Sequence, residues 1–365
     1  MKKVKIVYIV KNLMLNGISN VLINYCKYLD SNKFDITVIA SEPINIENSN
    51  ILKDLNVKLI KIVPKDKKGI IEYSKNLINI FRKNSFDIIH IHGNSGSIAL
   101  EIILAKVAGI KNIISHCHNT STEHPIIHYI MKPVVNIFSN QKYACSEEAG
   151  KWLFYSDFNV INNGFEVDNF KFNKNYREKI REELKLKNEI LIGHVGLFTE
   201  QKNHEFLISV FEKISTQYKN VKLLLVGGGT DFQKIKSKID KSFSRDKIII
   251  YGETNNVKPL YDAMDIFVFP SKYEGLGIAA VEAQISGLKC VVSTNVPKSI
   301  VIDNNKVRFL NLNDDINLWI DNIINQNLND DRNSFFEKNK KSIERFSIKK
   351  IISNLEKDYI NLMKG

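Results

Sequence analysis

The chain has 365 residues, of which 44% are hydrophobic and 25% charged, and a net charge of +12. At roughly 150 residues per domain this length suits two domains, each with enough apolar residues for its own core, which excludes wholesale disorder. The charge suits nucleic acid, an anionic lipid surface or a phosphorylated ligand, but no RNA-binding glycine–aromatic signature and no helix-turn-helix pattern is present, so nucleic acid is not an expected partner.

Cys26, Cys117, Cys145 and Cys290 stand apart, without a CxxC pair or histidines at zinc-ligand spacing, and read as buried thiols of a reducing compartment. No apolar run reaches the ~18 residues needed to cross a bilayer. The opening MKKVKIVYIVKNLML is broken by Lys5 and Lys11 and lacks a cleavage site, so it reads as a first strand. A cytoplasmic location, or one on the cytoplasmic face of a membrane, is expected.

In chain order, short runs rich in Val and Ile predict strands over 4–10, 34–40, 57–63, 86–92, 111–117 and 141–146, with an amphipathic helix over 18–30. Segments 64–70 and 119–130 follow no periodicity and read as loops. A polar connection over 159–173, with Asn163-Gly164 at its centre, precedes a second series of strands over 189–196, 221–229, 247–252, 265–270, 290–293 and 307–311. Ile348, Ile351, Ile352, Leu355, Tyr359 and Leu362 mark a final amphipathic helix. Alternating apolar strands and helices predict α/β domains with parallel sheets, whose ligands bind beyond the carboxyl ends of the strands.

The most specific stretch is FVFPSKYEGLGIAAVEAQISG, residues 267–287. A strand ends at Pro270, and a helix runs from about Gly277 to Ser286. The backbone N–H groups of Gly275, Leu276 and Gly277 point out of its start and attract phosphate. Glu282 lies inside the helix, where a carboxylate can accept from vicinal hydroxyls such as those of a ribose, and Glu274 could do the same for a sugar. The bland alternative is a surface helix with two solvated glutamates, and a third is a glycosidase acid/base pair. Gly227, Gly228 and Gly229 read as a tight turn, because no G-x-G-x-x-G opens a helix here. No DxD follows a strand, so neither a metal nor a cofactor is expected.

PSKYEGLGIAAVEAQISGLKCVVS resembles the E-x7-E segment of retaining glycosyltransferases of the GT-B fold, family 4. LNGISNVLINY, FDIIHIHG, ISHCHNT, VINNGFEVDNF and HVGLFTEQKNHEFLISVF extend the resemblance over essentially the whole chain, nearest to capsular and exopolysaccharide enzymes. It implies two Rossmann-like, doubly wound domains facing a central cleft. Residues 1–165 would bind acceptor and 166–346 donor, with the helix 347–365 packing back on the first domain. Carried over by residue, Glu282 binds the ribose, Glu274 the transferred sugar, and Lys202 the donor diphosphate, whose departure it stabilises. His118 meets the donor sugar or reaction centre. Gly17 gives close backbone access, and Glu253 to Val257 wall the nucleotide base. His92, Asn94 and Ser95 hold acceptor hydroxyls, and His116, assigned the opposite strand parity, is a core histidine.

The implied reaction is transfer of a sugar from a nucleotide diphosphate sugar, a UDP-sugar first among them, to a hydroxyl of a glycan or lipid-linked oligosaccharide. Lys65, Lys67 and Lys68 would then rest on anionic headgroups. The chain departs from the family pattern at Leu197, where relatives commonly have Arg, and at Asn16, where a second glycine is frequent. A nucleotide-sugar epimerase, or a catalytically weak nucleotide-sugar-binding protein of the same fold, is the competing reading.

Overall fold

Runs of β-branched residues bounded by loops become parallel strands in the computed structural model, which describes residues 3–14, 16–325 and 331–364, without the side chains of 66–68. Lys67 and Lys68, expected as lipid contacts, therefore have side chains outside the described residues. The chain forms two compact units, residues 1–165 with 345–365, and residues 166–344.

The first unit runs β1 (Val4–Val10), α1 (Gly17–Tyr28), β2 (Phe34–Ser41), α2 (Ile46–Asp54), β3 (Lys58–Ile62), α3 (Lys65–Asn84), β4 (Ile88–Gly93), α4 (Ala99–Val107), β5 (Asn112–Cys117), α5 (Pro125–Phe138), β6 (Gln141–Ala144), α6 (Glu147–Leu153) and β7 (Asn159–Val160). The second runs α7 (Lys174–Glu183), β8 (Ile190–Val195), α8 (His204–Gln217), β9 (Val221–Val226), α9 (Phe232–Asp240), β10 (Ile248–Gly252), α10 (Lys258–Ala263), β11 (Ile266–Phe269), α11 (Ile278–Ile285), β12 (Lys289–Ser293), β13 (Val307–Leu310), α12 (Ile316–Ile324), α13 (Phe335–Lys338) and α14 (Lys340–Ile343). The chain then returns to the first unit as α15 (Ile348–Leu362), which packs on α1.

The sheets are ordered β3-β2-β1-β4-β5-β6-β7 and β10-β9-β8-β11-β12-β13. In each, the direction of winding reverses once, between β1 and β4 and between β8 and β11. Loops leaving adjacent strands diverge there and open a crevice at the carboxyl edge. Right-handed crossovers put α1 and α2 on one face of the first sheet and α3, α4 and α5 on the other. Tyr8, Tyr25, Ile36, Ile351 and Tyr359 are buried together on the α1 and α15 side, and Leu207, Phe211, Leu223, Val291 and Trp319 lie in the core of the second unit.

Three sequence expectations need correction. Asn159–Val160 is not a connection but a short strand, paired with Tyr143 and Ala144 on the edge of the first sheet. Segment 64–70 is largely the start of α3, interrupted at Gly69, whose φ is 81°. Segment 119–130 contains the first turns of α5, which Pro125 opens with a preset φ and no N–H to satisfy.

Candidate functional site

At the carboxyl edge of the second sheet, two loops are laced together. Thr199–Asn203 follows β8 and residues 270–274 follow β11. Lys272 N–H donates to Gln201 O (2.8 Å), Gln201 Nε2 to Tyr273 O (3.0 Å) and Asn203 Nδ2 to Pro270 O (3.2 Å). Ser293 Oγ anchors the second loop from β12 through Ser271 O (2.5 Å). This lacing fixes Lys202 beside Glu274, with Nζ 2.6 Å from Oε1 and 4.6 Å from the centroid of the Phe269 ring. Glu274 is only 6% exposed, so the solvated-surface reading fails for it.

Gly275, Leu276 and Gly277 follow, all buried, and their N–H groups find no acceptor among the described residues. Gly277 precedes α11 with φ 90°, a left-handed turn that a β-carbon would strain. The helix starts one residue later and ends one earlier than expected, and it carries Glu282 in its second turn. Tyr261 OH, delivered by α10, donates to Glu282 Oε2 at 2.8 Å. Burial pushes the Glu282 carboxyl up to about 7, against the opposing effect of that hydrogen bond. Val257, expected at the nucleotide base, immediately precedes α10, and its carbonyl accepts from Tyr261 N–H (3.2 Å).

The glycine turn after β9 packs on the loop after β8. Gly227, at φ 139°, leaves no room for a β-carbon against Gly196 O, and Phe198 N–H donates to Gly228 O at 2.6 Å. Glu253 lies over Gly228. A β-carbon on Gly196 would stand 3.3 Å from both His194 Nε2 and the Lys202 stem, so the bare backbone opens the space between them. His194 donates through Nδ1 to Val268 O (2.9 Å) and has no partner for Nε2; burial lowers it to about 4. His204, stacked on Phe198 at 4.2 Å, is lowered to about 2 by burial. Sequence reasoning missed both. The available signal was a histidine within the otherwise apolar strand ILIGHV, which the structure buries against the rings of Phe267 and Phe269. Leu197 is partly buried and adds no charge.

In the first unit, β4 and β5 bring four histidines into one stack. His90 lies 4.4 Å from His92, His92 5.0 Å from His118, and His116 4.1 Å from His118, centroid to centroid. His116 does not have the opposite parity: residues two apart on a strand share a face, and it stacks directly on His118. His90 bonds Tyr359 OH through Nδ1 (2.7 Å) and His116 Nδ1 through Nε2 (3.2 Å), and Tyr359 OH meets Tyr8 OH at 2.9 Å. Nδ1 of His92 lies 2.8 Å from Nε2 of His118. That contact engages Nδ1 of His92, which is 3% exposed, and leaves its Nε2 without a partner. Burial lowers His118 to about 4, against the opposing effect of the Asn163 side chain beside its ring. Ligand atoms of His90, His92 and His116 lie within 4.8 Å of one another, but both nitrogens of His90 are engaged in ring and hydroxyl hydrogen bonds, which favours a neutral network over a metal centre.

Asn94 is partly buried with Oδ1 unpartnered, and its carbonyl accepts from Trp152 Nε1 at 2.8 Å. Ser95 Oγ is 3.0 Å from Ser97 Oγ. Gly17 is the exposed first residue of α1, and Asn16, in place of a second glycine, caps that helix by accepting from Ser19 N–H at 3.0 Å. Lys65 is not free for headgroups; it pairs with buried Glu101 at 2.7 Å. The four cysteines are buried thiols without disulfides. Among the described residues no helix is long and apolar enough to cross a membrane.

Residues 176–343 match the family described as glycosyl transferases group 1, and residues 12–145 that described as glycosyl transferase 4-like. The UDP-Gal:alpha-D-GlcNAc-diphosphoundecaprenol alpha-1,3-galactosyltransferase of Escherichia coli is 25% identical over 99% of this chain and 98% of its own length. The capsular polysaccharide biosynthesis glycosyltransferase CapH of Staphylococcus aureus is 28% identical over 61% of this chain and 63% of its own. Among solved structures, Anabaena HepE in complex with UDP-glucose superposes with a TM-score of 0.79 at 17% identity, covering 98% of this chain and 99% of that one. The lipopolysaccharide glycosyltransferase WaaG superposes with a TM-score of 0.76 at 13% identity, over 99% and 100%. These structural likenesses establish the two-unit GT-B fold.

Proposed function

We propose a donor, an acceptor and a stereochemical course for a chain that belongs to the group 1 glycosyl transferases, joined to a glycosyl transferase 4-like N-terminal unit. The protein is a glycosyltransferase of polysaccharide biosynthesis. Beyond that, we read it as a retaining enzyme that moves a sugar from a UDP-sugar to a hydroxyl of a lipid-linked glycan. The donor sits on the second unit and the acceptor on the first. Support comes from the donor and acceptor in the name of the E. coli relative and from the UDP-glucose bound to HepE.

The observation that carries this reading is the Lys202–Glu274 pair beside the glycine-flanked start of α11. A diphosphate at the free N–H groups of residues 275–277 draws Lys202 towards it, and Glu274 turns its oxygens to sugar hydroxyls. Glu282 keeps one oxygen on Tyr261 and offers the other to the ribose. As the sugar–phosphate bond breaks, negative charge grows on the departing UDP, where Lys202 and the helix start are already oriented to meet it. The acceptor O–H attacks from the face that UDP leaves and passes its proton to a diphosphate oxygen. Neutral His118 positions a hydroxyl through Nδ1.

Calorimetry against UDP-, GDP-, dTDP- and ADP-sugars, followed by NMR assignment of the product anomer, tests the reading. Binding of a UDP-sugar and an axial linkage retained from donor to product are expected. An inverted linkage, a sugar covalently trapped on Glu274, or an isomerised donor formed without acceptor would overturn it.

A further inference from the structure

The geometry points to His194 as a positioning residue for Lys202: its Nε2 accepts from the lysine ammonium once that group leaves Glu274 for the donor diphosphate. This role rests on the reading of Lys202 as the cation that meets the departing diphosphate. It adds to that reading a second partner for the lysine, one that carries no charge.

The tautomer fixes what the ring can do. Nδ1 lies 2.9 Å from Val268 O, and a carbonyl oxygen can only accept, so Nδ1 carries the proton of the neutral ring. Nε2 is then a bare lone pair, buried and without a partner among the described residues. Burial, with the Lys202 charge adding to it against the Val268 bond, lowers the ring to about 4, so the lone pair persists at neutral pH. An ionised phosphate oxygen has no proton to offer such a nitrogen. An N–H donor has, and buried polar atoms are seldom left unpaired unless a ligand or a moving side chain completes them.

Lys202 is the donor placed to do so. A β-carbon on Gly196 would stand 3.3 Å from His194 Nε2 and 3.3 Å from both Cδ and Cε of Lys202, so the nitrogen and the lysine stem face one gap that a glycine leaves open. The two groups also share the Phe269 ring, which stacks with His194 at 5.7 Å and carries Lys202 Nζ 4.6 Å from its centroid. His204 meets His194 edge-on at 4.7 Å, but neither of its nitrogens has a hydrogen-bond partner among the described residues, so it does not supply the missing proton. At rest the ammonium meets Glu274 Oε1 at 2.6 Å. It has three N–H donors, and a diphosphate that draws it off the carboxylate leaves one for Nε2. A neutral ring suits that task. An anion in its place would hold Lys202 against the diphosphate, as Glu274 does at rest, whereas a neutral acceptor orients the ammonium and leaves its charge for the leaving group.

The test is nitrogen NMR of the full chain with labelled histidine rings, near neutral pH, with and without UDP, in wild type and in Lys202→Met; His194→Gln assigns the signal. The proton is expected on Nδ1. UDP should move the Nε2 signal of wild type upfield, as a lone pair that takes up a hydrogen bond does, and should leave it in place in Lys202→Met. In an assay of UDP release, His194→Phe keeps a ring against Phe267 and Phe269 but loses the acceptor, and should lower kcat about tenfold with KM within about twofold of wild type. His194→Gln, whose Oε1 can accept, should recover most of that loss. In a Lys202→Met background His194→Phe should cost nothing further. The tautomer and the shift are read on wild type, so they stand even where a His194 variant fails to fold. A proton on Nε2, UDP binding without the shift, an equal shift in Lys202→Met, or an equal loss from His194→Phe with and without Lys202 would each overturn the proposal and leave the donor reading intact. Failure of UDP to bind would overturn that reading and the proposal with it.

Discussion

The carboxyl edges of the two sheets hold their polar groups by opposite means. The β4 and β5 end of the first unit buries four rings that burial keeps uncharged at neutral pH: His90, His92 and His116 lie well below the usual imidazole range, and His118 falls to about 4. The β8 and β11 end of the second keeps formal charges, Lys202 against Glu274 at 2.6 Å. The same doubly wound scaffold thus carries neutral polar groups at one edge, suited to the proposed recognition of hydroxyls, and a charged pair at the other, suited to the proposed stabilisation of a leaving diphosphate. Neighbouring strands bring the rings into mutual hydrogen bonds, which needs no lacing of loops; an ion pair needs both partners fixed, and the 199–203 and 270–274 loops supply that.

Glu274→Ala removes the proposed sugar contact and the ion pair with Lys202, and should lower kcat/KM about 1000-fold in an assay of UDP release. Retention of a tenth of wild-type activity would mean that the charged edge is structural. Lys202→Met should cost about 100-fold, mostly in kcat. In the uncharged edge, His118→Ala should cost about tenfold. Any ionisation that the pH profile of kcat/KM shows between pH 6 and 8 should persist in His118→Ala, because the folded pKa of about 4 keeps that ring neutral there. Leu197→Arg adds a second cation beside the proposed donor-phosphate position, and should tighten UDP-sugar binding about tenfold by calorimetry.

The smallest effect is in stability. The folded pKa of Glu282, about 7, exceeds its ordinary 4.5, so between these values the folded protein holds a proton that the unfolded chain has released. Stability therefore falls as pH rises across that window. The wild-type melting temperature should decline relative to Glu282→Gln between pH 5 and 7, and parallel curves would rule out a desolvated carboxyl at this position.

Twelve of the strands could be read from runs such as VKIVYIV and VKLLLV, because a strand buried on both faces has no polar alternation to blur it. Two-residue β7 carries too few side chains for any period. α5 hid behind Pro125, Pro133 and a nearly all-round apolar PIIHYIMKPVVNIF, whose exposed isoleucines erase the polar stripe that marks a water-facing helix. At the site, spacing after strands singled out Lys202, Glu274, Glu282 and His118. Spacing does not show that Lys202 pairs with Glu274, that Tyr261 reaches Glu282 from α10, or that His92 bonds His118. Those contacts join residues 21 to 72 positions apart, and only the folded sheet decides them.

The lacing that holds Lys202 on Glu274 also bears on turnover. In the proposed reading, a nucleotide diphosphate that draws Lys202 away weakens one contact of a nearly buried carboxylate, and a donor carrying its sugar offers that carboxylate hydroxyls in return. Once the sugar had moved on, re-forming the ion pair would compete with the diphosphate for Lys202, so the contact would act as a spring for product release.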